Sequence, residues 1–243
     1  MGQALIDVHD LTYAYPDGTK ALDGLTLHIE VGESVGLVGP NGAGKSTFIL
    51  HLNGFLHGQG LVRIHEKELI EHNLRDVRRM VGVVFQNSDD QLFMPTVFDD
   101  VAFGPLNLGL PEPEVLARVA QALAAVGCQG LERKAPHHLS AGQKRSVAIA
   151  TVLAMQPDIL VMDEPTSDLD PRSRRKLIDL LRSLDITQII ASHDLDLILD
   201  LCPRCVVLDA GRVAADGPTD SLFRDDSLLL AHGLERPLSL QKR

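Results

Sequence analysis

One stretch constrains this chain of 243 residues more than any other: Gly39-Pro40-Asn41-Gly42-Ala43-Gly44-Lys45-Ser46-Thr47. Its Gly-x-x-x-x-Gly-Lys-Ser spacing follows an apolar run at residues 34–38 and opens a helical stretch at 46–52. A strand that ends in a glycine-rich loop and re-enters as a helix is the setting in which this pattern holds phosphate. Glycines let successive backbone N–H groups turn inward on an anion with no Cβ in the way. The helix N-terminus adds partial positive charge. Lys45 is therefore expected to reach the β- and γ-phosphates of a nucleotide, Ser46 to ligate Mg²⁺, and Thr47 to bond near the α-phosphate.

A second apolar run, residues 159–162, is too short for a helix and fits a central parallel strand. It ends in Asp163 and Glu164. An acid at the end of such a strand faces the phosphate loop and can hold Mg²⁺, usually through water. With Asp163 serving the metal, Glu164 is free to polarise an attacking water.

The remaining pattern is an alternation of strands and helices. Residues 5–8, 25–31, 34–38, 61–64 and 81–85 read as strands, with turn signals at Pro16-Asp17-Gly18 and Gly32-Glu33. Residues 111–126, 143–155 and 172–184 carry apolar positions near helical period. Residues 188–191 and then 206–208 are expected to close the sheet. Alternation of this kind predicts an α/β fold with a mostly parallel sheet and its ligand at the strand carboxyl ends. Residues 94–138 lack strong strand signals and read as part of a helical subdomain, about 94–155. Residues 211–243 read as a looser tail, and the whole, 1–243, as one nucleotide-binding domain.

The formal charge of −10 argues against non-specific binding to nucleic acid or anionic lipid. No apolar run approaches the roughly 18–20 residues that span a bilayer. The N-terminus has no basic start before an apolar stretch, and Ile6 stands where a myristoylation pattern wants Ser or Thr. A cytoplasmic protein is expected, held at a membrane only by a partner. Cys202-Pro-Arg-Cys205 has redox or half-zinc spacing, but no second pair completes a metal site and the segment runs into a strand. The ten histidines, His137 and His138 included, are scattered without ligand spacing.

At Leu139-Ser140-Ala141-Gly142-Gln143 the chain resembles the ATP-binding cassette (ABC) ATPases, whose signature is LSGGQ; the resemblance extends over essentially the full length. Ser140-x-x-Gln143 also reads as a helix capping box. The resemblance implies an ABC ATPase core with an N-terminal antiparallel β-subdomain and a helical signature subdomain. It implies a head-to-tail dimer in which Leu139, Ser140, Ala141, Gly142 and Gln143 act on the ATP held by the other protomer. Tyr15 matches the aromatic that stacks on adenine, with Tyr13 as the alternative. Gln86 matches the residue that senses Mg²⁺ and water and links the site to a transport partner. Ser167-Asp168-Leu169-Asp170 matches the loop along the dimer seam, and His193 the histidine that bonds the γ-phosphate. Ser146 departs from the pattern, standing where many relatives carry a second basic residue.

Within the family, residues 87–105, Tyr15-Pro16-Asp17-Gly18 and residues 150–155 closely resemble the energy-coupling-factor importers, especially the cobalt/nickel branch. This implies ATP and Mg²⁺ as cofactors, a likeness to homodimeric or paired ATPases, and an assembly with a transmembrane subunit and a membrane-embedded substrate-binding component. Asp89, Asp90, Asp99 and Asp100 could then meet basic residues of the transmembrane subunit. The ATPase of a different ABC importer or exporter is the alternative. A soluble DNA-repair or chromosome ABC ATPase is disfavoured because no heptad run separates Lys45 from Ser140. A ribosome-associated one is disfavoured because the chain holds one cassette and is acidic.

Overall fold

The computed structural model describes residues 4–241; the reading of the Met1-Gly2 terminus lies outside them. In chain order it forms strands β1 (Ala4–Ala14), β2 (Lys20–Glu30), β3 (Ser34–Val38), β4 (Gln59–Ile64), β5 (Lys67–Glu68), β6 (Val81–Val84), β7 (Ile159–Asp163), β8 (Thr187–Ala191), β9 (Arg204–Asp209) and β10 (Arg212–Pro218). The helices are α1 (Lys45–Leu52), α2 (Leu74–Met80), α3 (Val97–Asn107), α4 (Glu112–Ala125), α5 (Ala141–Leu153), α6 (Pro171–Ser183), α7 (Leu195–Leu201), α8 (Thr219–Phe223) and α9 (Asp226–Ala231).

Two sheets result. One runs β2-β1-β4-β5 and is antiparallel. The other runs β10-β9-β3-β8-β7-β6, parallel except for β10. Successive side chains on a strand leave opposite faces, and the larger sheet shows it directly. Val35, Leu37, Ile159, Val161, Ile189, Val206 and Leu208 join the core shared with α1 and the antiparallel sheet. Val38, Leu160, Met162, Ile190, Cys205 and Val207 face the other core, under α3 to α9. Burial on both faces is why these strands read as continuous apolar runs. The helical positions Val115, Val119, Ala122 and Leu123 are buried on the inner side of α4, as their spacing predicts.

Three expectations are corrected. The sheet does not end at residues 206–208: β10 pairs antiparallel with β9 as an edge strand. Nor is the stretch after Gly211 a loose tail. Gly211 donates to Ala43 O at 3.1 Å and accepts from Asp23 N at 3.0 Å. Phe223 of α8 and Leu229 of α9 are buried in the helical core, and the backbone N–H groups of Leu238 and Ser239 each donate to Asp196 at 3.1 Å. Finally, the acidic residues proposed for a partner are not equally available. Asp100 is buried and accepts from Phe93 N and Met94 N, both at 3.0 Å. Asp99 accepts from Thr96 Oγ1 at 2.6 Å, and Asp89 pairs with Lys144 at 2.6 Å; Asp90 is exposed.

Candidate nucleotide site

The glycine-rich loop connects β3 to α1 at the carboxyl end of the parallel sheet, next to the ends of β7 and β8. A cleft of about 590 Å³ opens there, lined by Tyr15, Asn41 to Thr47, Gln86, Asp163, Glu164 and His193. Gly39 and Pro40 do not line it. Gly44 caps α1 with φ +103°, and a Cβ there would come within 2.6 Å of Ala21 O, so only glycine fits. Lys45 is buried, and its ammonium donates to Gly39 O at 2.7 Å and Pro40 O at 3.1 Å. Desolvation pushes its pKa down, against attraction from Glu164 and Asp163.

Ser46 bonds Asp163, whose carboxyl burial holds above its usual range despite that bond. Hydroxyl, carboxylate and the Gln86 amide together make an oxygen donor set suited to a hard cation such as Mg²⁺. Glu164 is 8% exposed and adopts φ +46°, a left-handed conformation that costs a non-glycine residue of order 1–3 kcal/mol. The contacts that hold it there come from the last residue of β8 and the turn after it. Glu164 N donates to Ala191 O at 2.8 Å. Its Oε1 accepts from His193 N and its Oε2 from Ser192 Oγ, both at 2.9 Å. The His193 imidazole also sits 2.9 Å from Oε2 and is 72% exposed. Glu164 and His193 are thus brought together, as a latched pair facing the cleft.

On the opposite wall the Tyr15 hydroxyl shares a hydrogen bond with Thr47 Oγ1 at 2.9 Å. Tyr15 packs edge-on against Tyr13, which packs edge-on against His51. His51 is fully buried, and its Nδ1 donates to Thr47 O at 2.7 Å, leaving Nε2 without a partner. Of the two tyrosines considered from sequence, Tyr15 is the one that lines the cleft.

The Leu139–Gln143 stretch does not reach this cleft within one chain. Ser140 is exposed and caps α5: its Oγ accepts from Gln143 N at 3.3 Å, and Gln143 Oε1 accepts from Ser140 N at 3.1 Å. The helix therefore begins at Ala141, two residues before the sequence expectation, placing Ala141, Gly142 and Gln143 in its first turn. Leu139 is buried. A second cavity of about 340 Å³ collects Gln86, Leu139, Ala141, Ser167, Asp168 and Leu169. Asp170 caps α6, accepting from Arg172 N at 2.9 Å and Ser173 N at 3.1 Å.

Sequence reasoning missed Arg145. It is buried on α5 and donates to Phe85 O at 2.7 Å and Gln86 O at 2.5 Å, tying the helical layer to the end of β6. Thr19, Lys20 and Ala21 were also missed; they reach the cleft from the hairpin that presents Tyr15. Cys202 and Cys205 are buried free thiols; desolvation pushes Cys202 up to about 12, so neither suits redox chemistry at neutral pH.

The family model for the ABC transporter matches residues 22–167. A Geobacter sulfurreducens protein, provisionally named an ABC transporter ATP-binding protein, is 60% identical over 99% of this chain and 97% of its own length. The energy-coupling factor transporter ATP-binding protein EcfA of Methanothermobacter thermautotrophicus is 49% identical over 96% of this chain and 77% of its own. Among solved structures, cbiO1 of Clostridium perfringens, described as part of the ABC transporter complex cbiONQ, superposes with TM-score 0.83, 38% identity and 94% coverage of each chain. A dimeric ATP-binding cassette in a post-hydrolysis state with ADP and Pi matches with TM-score 0.78 and 28% identity, covering 88% of this chain and 98% of that one. The phosphate loop, the paired acids ending β7 and these relatives agree: the chain is an ABC ATPase, a member of the ABC transporter ATP-binding family.

Proposed function

We propose that two copies of this chain sandwich two ATP molecules head to tail and hydrolyse them to power import of a small solute through an energy-coupling-factor membrane complex. One observation carries the dimer: Asn41 to Thr47, Asp163, Glu164, Gln86 and His193 share a cleft, whereas the capped end of α5 lies apart from it, with Ser140 and Ala141 exposed. The first-turn N–H groups that a cap leaves over still make a helix N-terminus an anion site, and a second copy would supply it. The similarity to a dimeric cassette with ADP and Pi supports the same arrangement.

In this reading Tyr15 stacks on the base and Lys45 leaves the Gly39 and Pro40 carbonyls for the phosphates. Ser46, Gln86 and Asp163 would hold Mg²⁺, which would supply neutralising charge at the phosphate oxygens. Glu164 releases its latch on His193 to orient water, and His193 turns to the γ-phosphate. The chemistry is positioning and electrostatics, with little covalent work for the protein. Ser167 to Asp170 line the seam.

The coupling reading rests on the likeness to EcfA and to cbiO1, described as part of cbiONQ. No helix among the described residues is long and apolar enough to cross a membrane. In this reading a transmembrane subunit and a substrate-binding membrane component hold the chain at the cytoplasmic face, as the likeness to EcfA supports. The resemblance of residues 87–105 to the cobalt/nickel branch supports cobalt or nickel as the cargo; metal uptake by the reconstituted complex tests that assignment, and vitamin uptake instead would overturn it. Glu164→Gln tests the chemistry. It should keep ATP affinity, lose about 100-fold or more in turnover, and elute as an ATP-bound dimer. Wild-type hydrolysis by this variant would refute the role of Glu164.

A further inference from the structure

We propose that Asp7, His9 and His28 form a binding site for a divalent transition-metal ion on the antiparallel sheet, separate from the nucleotide cleft. Asp7 and His9 are two apart on β1, so they leave the same face. His28 on β2 is the direct cross-strand partner of Asp7, the closest side-chain relation an antiparallel pair offers. That face points away from the core, because the intervening Ile6, Val8, Leu27 and Ile29 are buried. Each of the three residues offers one ligand atom, and these atoms lie within 4.8 Å of one another.

Asp7 Oδ1 stands 2.9 Å from His9 Nε2 and 2.5 Å from His28 Nδ1. It is shielded from solvent, yet accepts a hydrogen bond from neither ring, because the nitrogens approach without the alignment an N–H donor needs. The rings meet edge to face with centroids 4.8 Å apart. A hydrogen-bonded triad therefore describes the cluster poorly, and atoms that carry lone pairs and converge describe it better. Two imidazole nitrogens and one carboxylate oxygen select borderline ions such as Zn²⁺, Ni²⁺, Co²⁺ and Cu²⁺ over Mg²⁺ or Ca²⁺. The imidazoles are 47% and 52% exposed, which leaves the outer coordination positions to water. Arg63 stands across from Asp7 on β4 and opposes a cation, so the affinity should be moderate. An ion here joins β1 to β2, the hairpin whose turn carries Tyr15. The inference does not depend on the cargo proposed above.

The test is calorimetric titration of the untagged, nucleotide-free chain with Zn²⁺ or Ni²⁺ in excess Mg²⁺. A single saturable site per chain is expected, weakened at least about tenfold by Asp7→Asn, His9→Asn or His28→Asn. Zn²⁺ should raise the Tm of the wild type and not of the three variants, whose metal-free Tm and ATPase rate should match the wild type. No saturable binding to the wild type would overturn the proposal. So would equal affinity in all three folded variants, which would place the ion elsewhere, for example at the adjacent rings of His137 and His138.

Discussion

Arg145 offers the sharpest test of how the helical layer positions the cleft. Its guanidinium bridges Phe85 O at 2.7 Å and Gln86 O at 2.5 Å from a site only 5% exposed. A hydrogen bond from a charged donor contributes about 1.5–3 kcal/mol. Against two such bonds stands the cost of burying the charge: desolvation holds the Arg145 pKa below its ordinary range, with Asp168 opposing, and Nε has no partner. Arg145→Met keeps the apolar stem, removes both bonds and leaves two carbonyls bare. After the relief of desolvation, we expect a net loss of about 2–3 kcal/mol in urea unfolding. Arg145→Lys should lose roughly half as much, because one ammonium cannot reproduce the planar fork. Gln86 loses its backbone anchor in both variants. The kcat for ATP should fall about tenfold or more while KM holds, since Arg145 does not line the nucleotide cleft. Wild-type unfolding and kcat in Arg145→Met would refute this account of Gln86.

Two further outcomes follow from single sites. Burial, ahead of repulsion from His57, pushes His51 below its ordinary pKa, although its bond to Thr47 O acts the other way. The unfolded chain then takes up the proton first, so stability should fall as pH drops below about 6.5 and level off below the folded pKa. His51→Gln should flatten that slope in denaturant titrations, and an unchanged slope would exclude His51 as its source. At Gly211, with φ +77°, a Cβ would meet Ala21 O at 2.7 Å and Leu22 Cα at 2.8 Å. Gly211→Ala should therefore cost about 2–4 kcal/mol and weaken nucleotide affinity through the Gly211 N–H bond to Ala43 O; an unchanged unfolding midpoint would show that the turn yields freely.

What could be read from sequence was local. The phosphate loop, β3 and β7 announce themselves through fixed spacing and continuous apolar runs. Ser140 and Gln143 could be read as a cap because the two residues are neighbours on one turn. What escaped depends on long-range pairing. Arg145 meets Phe85 across 60 positions, and the Asp7–His9–His28 group exists only once β1 and β2 are in register. β10 alternates exposed and half-buried positions and ends Gly217-Pro218, a composition that argues against a strand. It is tolerated because only one of its sides pairs, with β9. Asp100 looked like a partner-facing acid beside Asp99, but helical geometry turns it inward. Glu164 could be named from its place after Asp163, whereas its latch to Ser192 and His193 required the neighbouring strand.

The central claim is that each ATP site is completed by the second copy, and a mixing experiment addresses it directly. Lys45→Ala and Ser140→Arg should each abolish hydrolysis as homodimers, one by disabling the phosphate loop and the other by disabling the end of α5. Mixed in equal amounts, they should form heterodimers in which one site has both defects and the other has none. Random pairing then predicts recovery of about one quarter of wild-type activity if the sites act independently. Recovery at that level is the result the composite site requires. No recovery, with heterodimers confirmed by native mass spectrometry, or full hydrolysis by the Ser140→Arg protein alone, would contradict it.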